Sequence, residues 1–125
     1  MASIRREAEL NARAEKVWDA VHRRLAPGFV VDTEMEEGAR VVTFANGMTA
    51  RELIVDVDDA ARRLVWSVVG SPRLTHHNAS LQVFAEGDGR SRIVWTADLL
   101  PNEVAGYIQA MIEQGMSVMK RTLER

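Results

Sequence analysis

An α+β domain is what this 125-residue sequence predicts, in the order one strand, a helix, six strands and one long helix. Three observations predict it. From Phe29 to about Leu100 the apolar residues recur every second position, and turn signals break the run at Glu37-Gly38, Asn46-Gly47, Asp58-Asp59, Gly70-Ser71-Pro72 and Gly87-Asp88-Gly89. Before that run, Ala14, Val17, Trp18 and Val21 keep the i, i+3, i+4, i+7 spacing of an amphipathic helix. After Pro101 the helical period returns and persists to the end.

Taken in order, Ser3 to Leu10 reads as a strand, Asn11 as the N-cap of the first helix, and Pro27-Gly28 as the turn beyond that helix's end near Arg24. Six consecutive strands with short connections imply an antiparallel meander. In the terminal helix, Val104, Ile108, Met111, Gly115, Val118 and Thr122 share one stripe, flanked by Tyr107, Ile112 and Met119. Glu103, Gln109, Glu113, Ser117, Lys120 and Glu124 line the other side, over about six turns. So long an apolar face needs a broad apolar partner, and the meander is the one at hand, so the helix is expected to lie across the sheet.

The chain fits one domain, residues 1–125, with enough buried surface to need no staples. Sixteen Lys+Arg against eighteen Asp+Glu, interspersed along the chain, favour neither nucleic acid nor an anionic membrane as partner. The lack of Cys excludes disulfides, thiolate nucleophiles and zinc–cysteine sites. With no apolar leader region and no run near the ~20 apolar residues of a membrane span, a soluble cytoplasmic protein without membrane insertion is expected. The chain carries no Gly-rich phosphate loop, no G-x-S-x-G and no H-E-x-x-H, and no cofactor is expected.

Several stretches, read together, resemble a known family. "LNARAEKVWDAV" resembles its strand end, cap and first helix; Gly47, Glu52 and Asp58 resemble a Gly, Glu, Asp pattern leading into Arg63-Leu64-Val65-Trp66; Ser91-Arg92-Ile93-Val94-Trp95 resembles a late strand reading Thr-x-Val-x-Trp; and "VMKRTLER" resembles its closing helix end. The family is the START/Bet v 1-like (SRPBCC) superfamily of helix-grip fold, and within it the small bacterial proteins similar to polyketide cyclase/dehydrase and lipid-transport domains. The resemblance implies a seven-stranded antiparallel curved sheet wrapped around the long C-terminal helix, with an apolar ligand cavity between them. One departure stands out. Where many members carry a further short helix, this chain has only "RRLAPGF", which leaves the pocket mouth differently walled.

Candidate site residues follow from strand parity, because residues two apart share a face. Thr75, His77, Ala79, Leu81, Val83 and Ala85 share one face of the sixth strand, so His76 and His77 of "THHN" point apart and cannot jointly ligate a metal; no metal site is expected. Leu64, Trp66 and Val68 share a face on the fifth strand, and Ile93, Trp95 and Ala97 on the seventh. The resemblance makes Trp66 and Trp95 pocket walls. On the terminal helix Tyr107, Met111 and Gly115 are spaced to face the cavity with Met119 closing its far end, and Gly115 hints at close approach, since Gly within a helix costs ~1 kcal/mol relative to Ala. For Glu52 two arguments disagree. Alternation with Leu53, Val55 and Val57 as the buried set puts it outside, whereas the resemblance puts it in the cavity, with His77 as its expected partner.

The favoured function is binding of a small apolar or aromatic, polyketide- or lipid-like ligand, with His77 offering a hydrogen bond. The rival is a cyclase, dehydratase or lyase in which His77, with Glu52, moves protons. A third class is a protein-interaction module with a vestigial cavity. The chain is expected to be a monomer, or a homodimer if Leu53, Val55 and Val57 are exposed.

Overall fold

The structure is a computed structural model that describes residues 1–24 and 30–124. Its elements are β1 (Ala2–Leu10), α1 (Ala14–Arg24), β2 (Val30–Glu36), β3 (Ala39–Phe44), β4 (Thr49–Asp58), β5 (Arg63–Val69), β6 (His76–Ala85), β7 (Ser91–Leu100) and α2 (Ala105–Leu123). A 3-10 turn, Asn102–Val104, leads into α2. The seven strands form one antiparallel sheet in the order β1-β7-β6-β5-β4-β3-β2, so β2 to β7 run as a meander and β1 closes the far edge on β7. This is the expected architecture. The Pro27-Gly28 turn and the short segment around it lie outside the described residues.

One face of the sheet carries the core. Leu64 and Trp66 of β5, Ala79, Leu81 and Val83 of β6, and Ile93, Trp95, Ala97 and Leu99 of β7 are buried against Val17, Trp18 and Val21 of α1 and Ile112, Met116, Met119 and Leu123 of α2. Strict alternation along β6 and β7 produces this division, buried residues at every second place. Polar ties fix both helices. The Trp18 indole donates to Asp59 Oδ1 at 2.9 Å, pinning α1 to the β4–β5 turn. Helix α2 is tied to the β1 side by Arg6–Glu113 at 3.1 Å and by Lys120 donating to the Glu9 carbonyl at 2.9 Å.

Three sequence expectations change. Asn11 is not the cap of α1: the Val17 N–H donates to the Arg13 carbonyl, so Arg13 holds the cap position. Asn11 instead donates its backbone N–H to the Glu124 carboxylate at 2.7 Å, joining the start of α1 to the end of α2. The buried line of α2 runs through Ile112, Gly115, Met116, Met119 and Leu123, about one position round from the predicted stripe. Ile108 and Met111 fall on its margin because the space beside them is unfilled. In β4, a bulge between Ile54 and Asp56 reverses the parity. Leu53 pairs with Ser67 on the outer face, whereas Val57, beyond the bulge, pairs with Leu64 on the inner face. The three apolar residues therefore never formed one buried set, and Glu52 lies inside.

The division into faces predicts a contrast in stability. Leu81→Ala, at a fully buried position, is expected to cost about 3 kcal/mol in urea denaturation, and Leu53→Ala on the outer face less than about 1 kcal/mol. Equal losses would show that the faces are assigned wrongly.

Candidate functional site

The inner face is built in cross-strand rows, and one row holds its polar residues. Pairing sets Met35 beside Arg40, Arg40 beside Glu52, Glu52 beside Val68, and His77 beside Leu99. Arg40 and Glu52 stand equally far from Asn46 in the β3–β4 hairpin, so the turn at Asn46-Gly47 dictates that they meet. Both are almost wholly buried, 1% and 3% exposed, and Arg40 Nε donates to Glu52 Oε1 at 2.7 Å. Arg40 Nη2 has no acceptor among the described residues. Burial raises the Glu52 carboxyl above the ordinary carboxylate range, and the adjacent Arg40 charge pulls it back only in part. The partner of Glu52 is Arg40 and not the expected His77, because the hairpin register decides the contact.

His77 has a different role in the sheet. Regular β5–β6 pairing ends at Trp66 opposite Ala79, two pairs short of Val68 and His77. Beyond it the Val68 N–H donates to His77 Nδ1 at 3.0 Å, and the Ser67 hydroxyl donates to the His77 carbonyl. Side chains have thus replaced the next rungs of the ladder, which holds the two strands apart without leaving these backbone groups unpaired. The geometry also fixes the tautomer: Nδ1 accepts, so the ring proton of the neutral imidazole sits on Nε2. Burial, reinforced by the neighbouring His76, pushes the His77 pKa down to about 4. At neutral pH the side chain is an uncharged donor. His76 is exposed on the other face, as parity predicts.

A recess of about 80 Å³ lies between this row and α2, lined by Glu52, Trp66, Val68, His77, Ala79 and Trp95 from the sheet and by Met111 with Ile108 and Ile112 from the helix. Phe44 and Ala97 complete it. Trp66 and Trp95 meet edge to face, centroids 6.0 Å apart, and form its inner wall. The recess shares Phe44, Val68, Ile108 and Met111 with a larger cavity of about 490 Å³. This outer cavity opens between the β3–β4 turn, the Gly70–Leu74 loop and the first turns of α2. At its mouth the Tyr107 hydroxyl approaches Met48 Sδ at 3.8 Å, and the Arg73 guanidinium lies 5.5 Å above the Tyr107 ring.

Of the residues singled out from sequence, Glu52, Trp66, Val68, His77, Ala79, Trp95 and Met111 line the recess and Tyr107 the mouth. Ile93 and Gly115 line neither. Ile93 is fully buried in the core, and Gly115 faces the packed side of α2. Sequence reasoning missed Arg40, Phe44 and Arg73. The hairpin register could have found the first, and the parity of Val42 with Phe44 the second; Arg73 sits in a loop with no period to read. Among the described residues no three His, Asp or Glu side chains converge as a metal site, and no helix is long and apolar enough to cross a membrane.

A helix-grip sheet with an apolar cavity and a few buried polar groups defines a class, the Bet v 1-like proteins. More specifically, the chain belongs to the family described as polyketide cyclase / dehydrase and lipid transport, which matches residues 1–124. Among curated proteins no sequence matches it. Among solved structures it is similar to the protein XoxI from Bacillus cereus, with TM-score 0.87 and 17% identity over 98% of this chain and 96% of that one. It is also similar to norcoclaurine synthase of Thalictrum flavum, a point mutant in complex with a transition-state analogue, with TM-score 0.71 and 19% identity over 98% and 93% of the two chains. A third likeness is to the di-domain ARO/CYC protein BexL of the BE-7585A biosynthetic pathway, with TM-score 0.72 and 15% identity over 99% of this chain and 45% of that one. The family match supports a ligand-binding or cyclase role without indicating a specific ligand, and the solved neighbours show the fold.

The two buried polar groups make opposite predictions against pH. The folded pKa of His77 lies below its ordinary 6.5, so its contribution is complete above pH 6.5 and is lost as pH falls towards 4, at most about 3 kcal/mol. Wild type compared with His77→Asn in urea melts at pH 7 and 4.5 isolates this loss, which the variant lacks; identical pH dependence would rule out the buried neutral ring. Arg40→Met strands the Glu52 carboxylate and is expected to cost about 3–5 kcal/mol at pH 7. Because the variant's Glu52 pKa rises further above its unfolded value, the loss should shrink towards pH 4.5, and Arg40→Met/Glu52→Leu should recover most of it. A loss independent of pH would mean the pair is not a buried charge pair.

Proposed function

We propose that the protein binds a small apolar or aromatic molecule between its sheet and α2, with the ring of the ligand against Trp66 and Trp95. In this reading a ligand carbonyl or hydroxyl accepts a hydrogen bond from His77 Nε2, and Glu52 accepts one from a ligand hydroxyl. The observation that carries it is the continuous cleft, about 490 Å³ outside and 80 Å³ within, apolar over most of its wall with two buried polar side chains at its base. A space of that size counts against an interaction module with a vestigial cavity.

Proton transfer by His77 is disfavoured by the same geometry. Its Nδ1 lone pair is occupied by Val68 N–H, and its ring proton is on the side that a general base must have free. One observation favours a cyclase- or dehydratase-type reaction all the same: the raised carboxyl of Glu52 lines the recess, where a group titrating nearer neutrality can exchange a proton with substrate. The two readings separate on Glu52→Gln. Turnover of a bound polyketide-like substrate is abolished in the second and affinity alone changes in the first.

Native mass spectrometry of protein purified from its host is expected to show added mass that is lost on denaturation. Val68→Phe, which fills the neck between recess and outer cavity, should cut that occupancy about tenfold while leaving circular dichroism unchanged. An empty protein whose binding of apolar fluorophores ignores Val68→Phe would sink the reading.

A further inference from the structure

The outer cavity has a charge pattern that its apolar wall does not require. Arg51 and Arg73 border it, with no carboxylate, although the chain as a whole has more acidic than basic residues. Arg51 shares the outer-face parity of Leu53, so Arg73 is the one whose charge faces the cavity. Arg51 shares its charge with Glu36 at 3.4 Å. Arg73 does not share: its guanidinium rests over the Tyr107 ring and meets no carboxylate among the described residues. The ring holds the cation at the mouth and leaves its N–H groups unclaimed by any carboxylate among the described residues, while the Ser71 hydroxyl, which accepts from the Arg73 backbone N–H, lines the same cavity.

The floor of the cleft has the opposite character. Glu52 and His77 are the polar groups there, and neither offers a free positive charge: Glu52 is paired with Arg40, and His77 is an uncharged donor. An anionic group therefore finds a cation at the mouth and no free cation at the base, so the two ends of the cleft orient a ligand.

We propose that the ligand is an amphipathic anion, seated with its apolar body in the cleft and its single carboxylate, phosphate or sulfonate head on Arg73. The proposal rests on the cavity-binding reading above and adds the charge class and direction of the ligand. A guanidinium recognises the planar or tetrahedral oxygens of such heads through paired N–H bonds, which a neutral analogue of the same body cannot accept as strongly.

The test uses a matched pair of fluorescent probes, anilinonaphthalene sulfonate and phenylnaphthylamine, which share a body and differ in the sulfonate. At low salt the sulfonate should bind about tenfold more tightly than the uncharged probe. That preference should vanish in Arg73→Gln and persist in Arg51→Gln, whose charge lies on the other face of the sheet, with phenylnaphthylamine affinity unchanged in both. Decanoate or decyl phosphate should displace phenylnaphthylamine better than decanol does, the stronger of the two naming the head group. Equal affinity for the two probes in wild type, or a preference that survives Arg73→Gln, overturns the anionic-head proposal while leaving cavity binding intact. Failure of either probe to bind, and of decanol to compete, overturns both.

Discussion

A single helix is about 10 Å across, whereas seven strands spaced about 4.8 Å apart make a sheet nearly three times as wide. One long helix therefore cannot cover the inner face it packs on. In this protein α2 is fastened to the β1 side through Arg6–Glu113, Lys120 and Glu124, and α1 fills in over β6 and β7. What these described contacts leave open is the inner face around Phe44, Ala50 and Val68, at the ends of β3, β4 and β5. The cavity is the geometric remainder of that mismatch, and the half-buried margin of α2 at Ile108 and Met111 is its visible sign.

Exposing a strip of inner sheet carries a chemical burden, because residues facing it are neither in water nor in a packed core. The row through Arg40, Glu52, Val68 and His77 meets that burden in two ways. The carboxylate is paired with a guanidinium, and the imidazole is tied into the backbone as a neutral acceptor. Each group is held in one orientation before any ligand arrives, so a ligand need not supply the ordering of these side chains. The outer mouth, by contrast, keeps its charge in a loop and over a ring, where water still reaches it.

The periods of two and of 3.6 carried the architecture, and the matched turn signals carried the meander, since both report which backbone faces the core. The lining of the candidate site was legible wherever it inherited that alternation, as at His77 and Ala79 of β6, while the resemblance singled out Trp66 and Trp95. It was illegible wherever regularity fails. The bulge at Val55 concealed the facing of Glu52, because Leu53 and Val57 look like one set until an extra residue is inserted between them. The partner of Glu52 and the tie between His77 and Val68 are contacts between strands, and a single chain read along its length does not print them. Gly115 misled for a different reason, since it lies on the buried line of α2 and not on the side that lines the cavity.

The imidazole of His77 is a spacer as well as a donor. By taking the Val68 N–H that the neighbouring strand's carbonyl would otherwise receive, and with Ser67 taking that carbonyl, it keeps β5 and β6 from zipping towards the Gly70–Leu74 loop. Aperture and polarity are therefore written in one residue. A descendant of this protein cannot trade the imidazole for an apolar side chain to suit a greasier ligand without also re-pairing two strands and narrowing the doorway. A change of ligand chemistry at the base of the cleft is thereby coupled to a change in the size of molecule admitted at its rim.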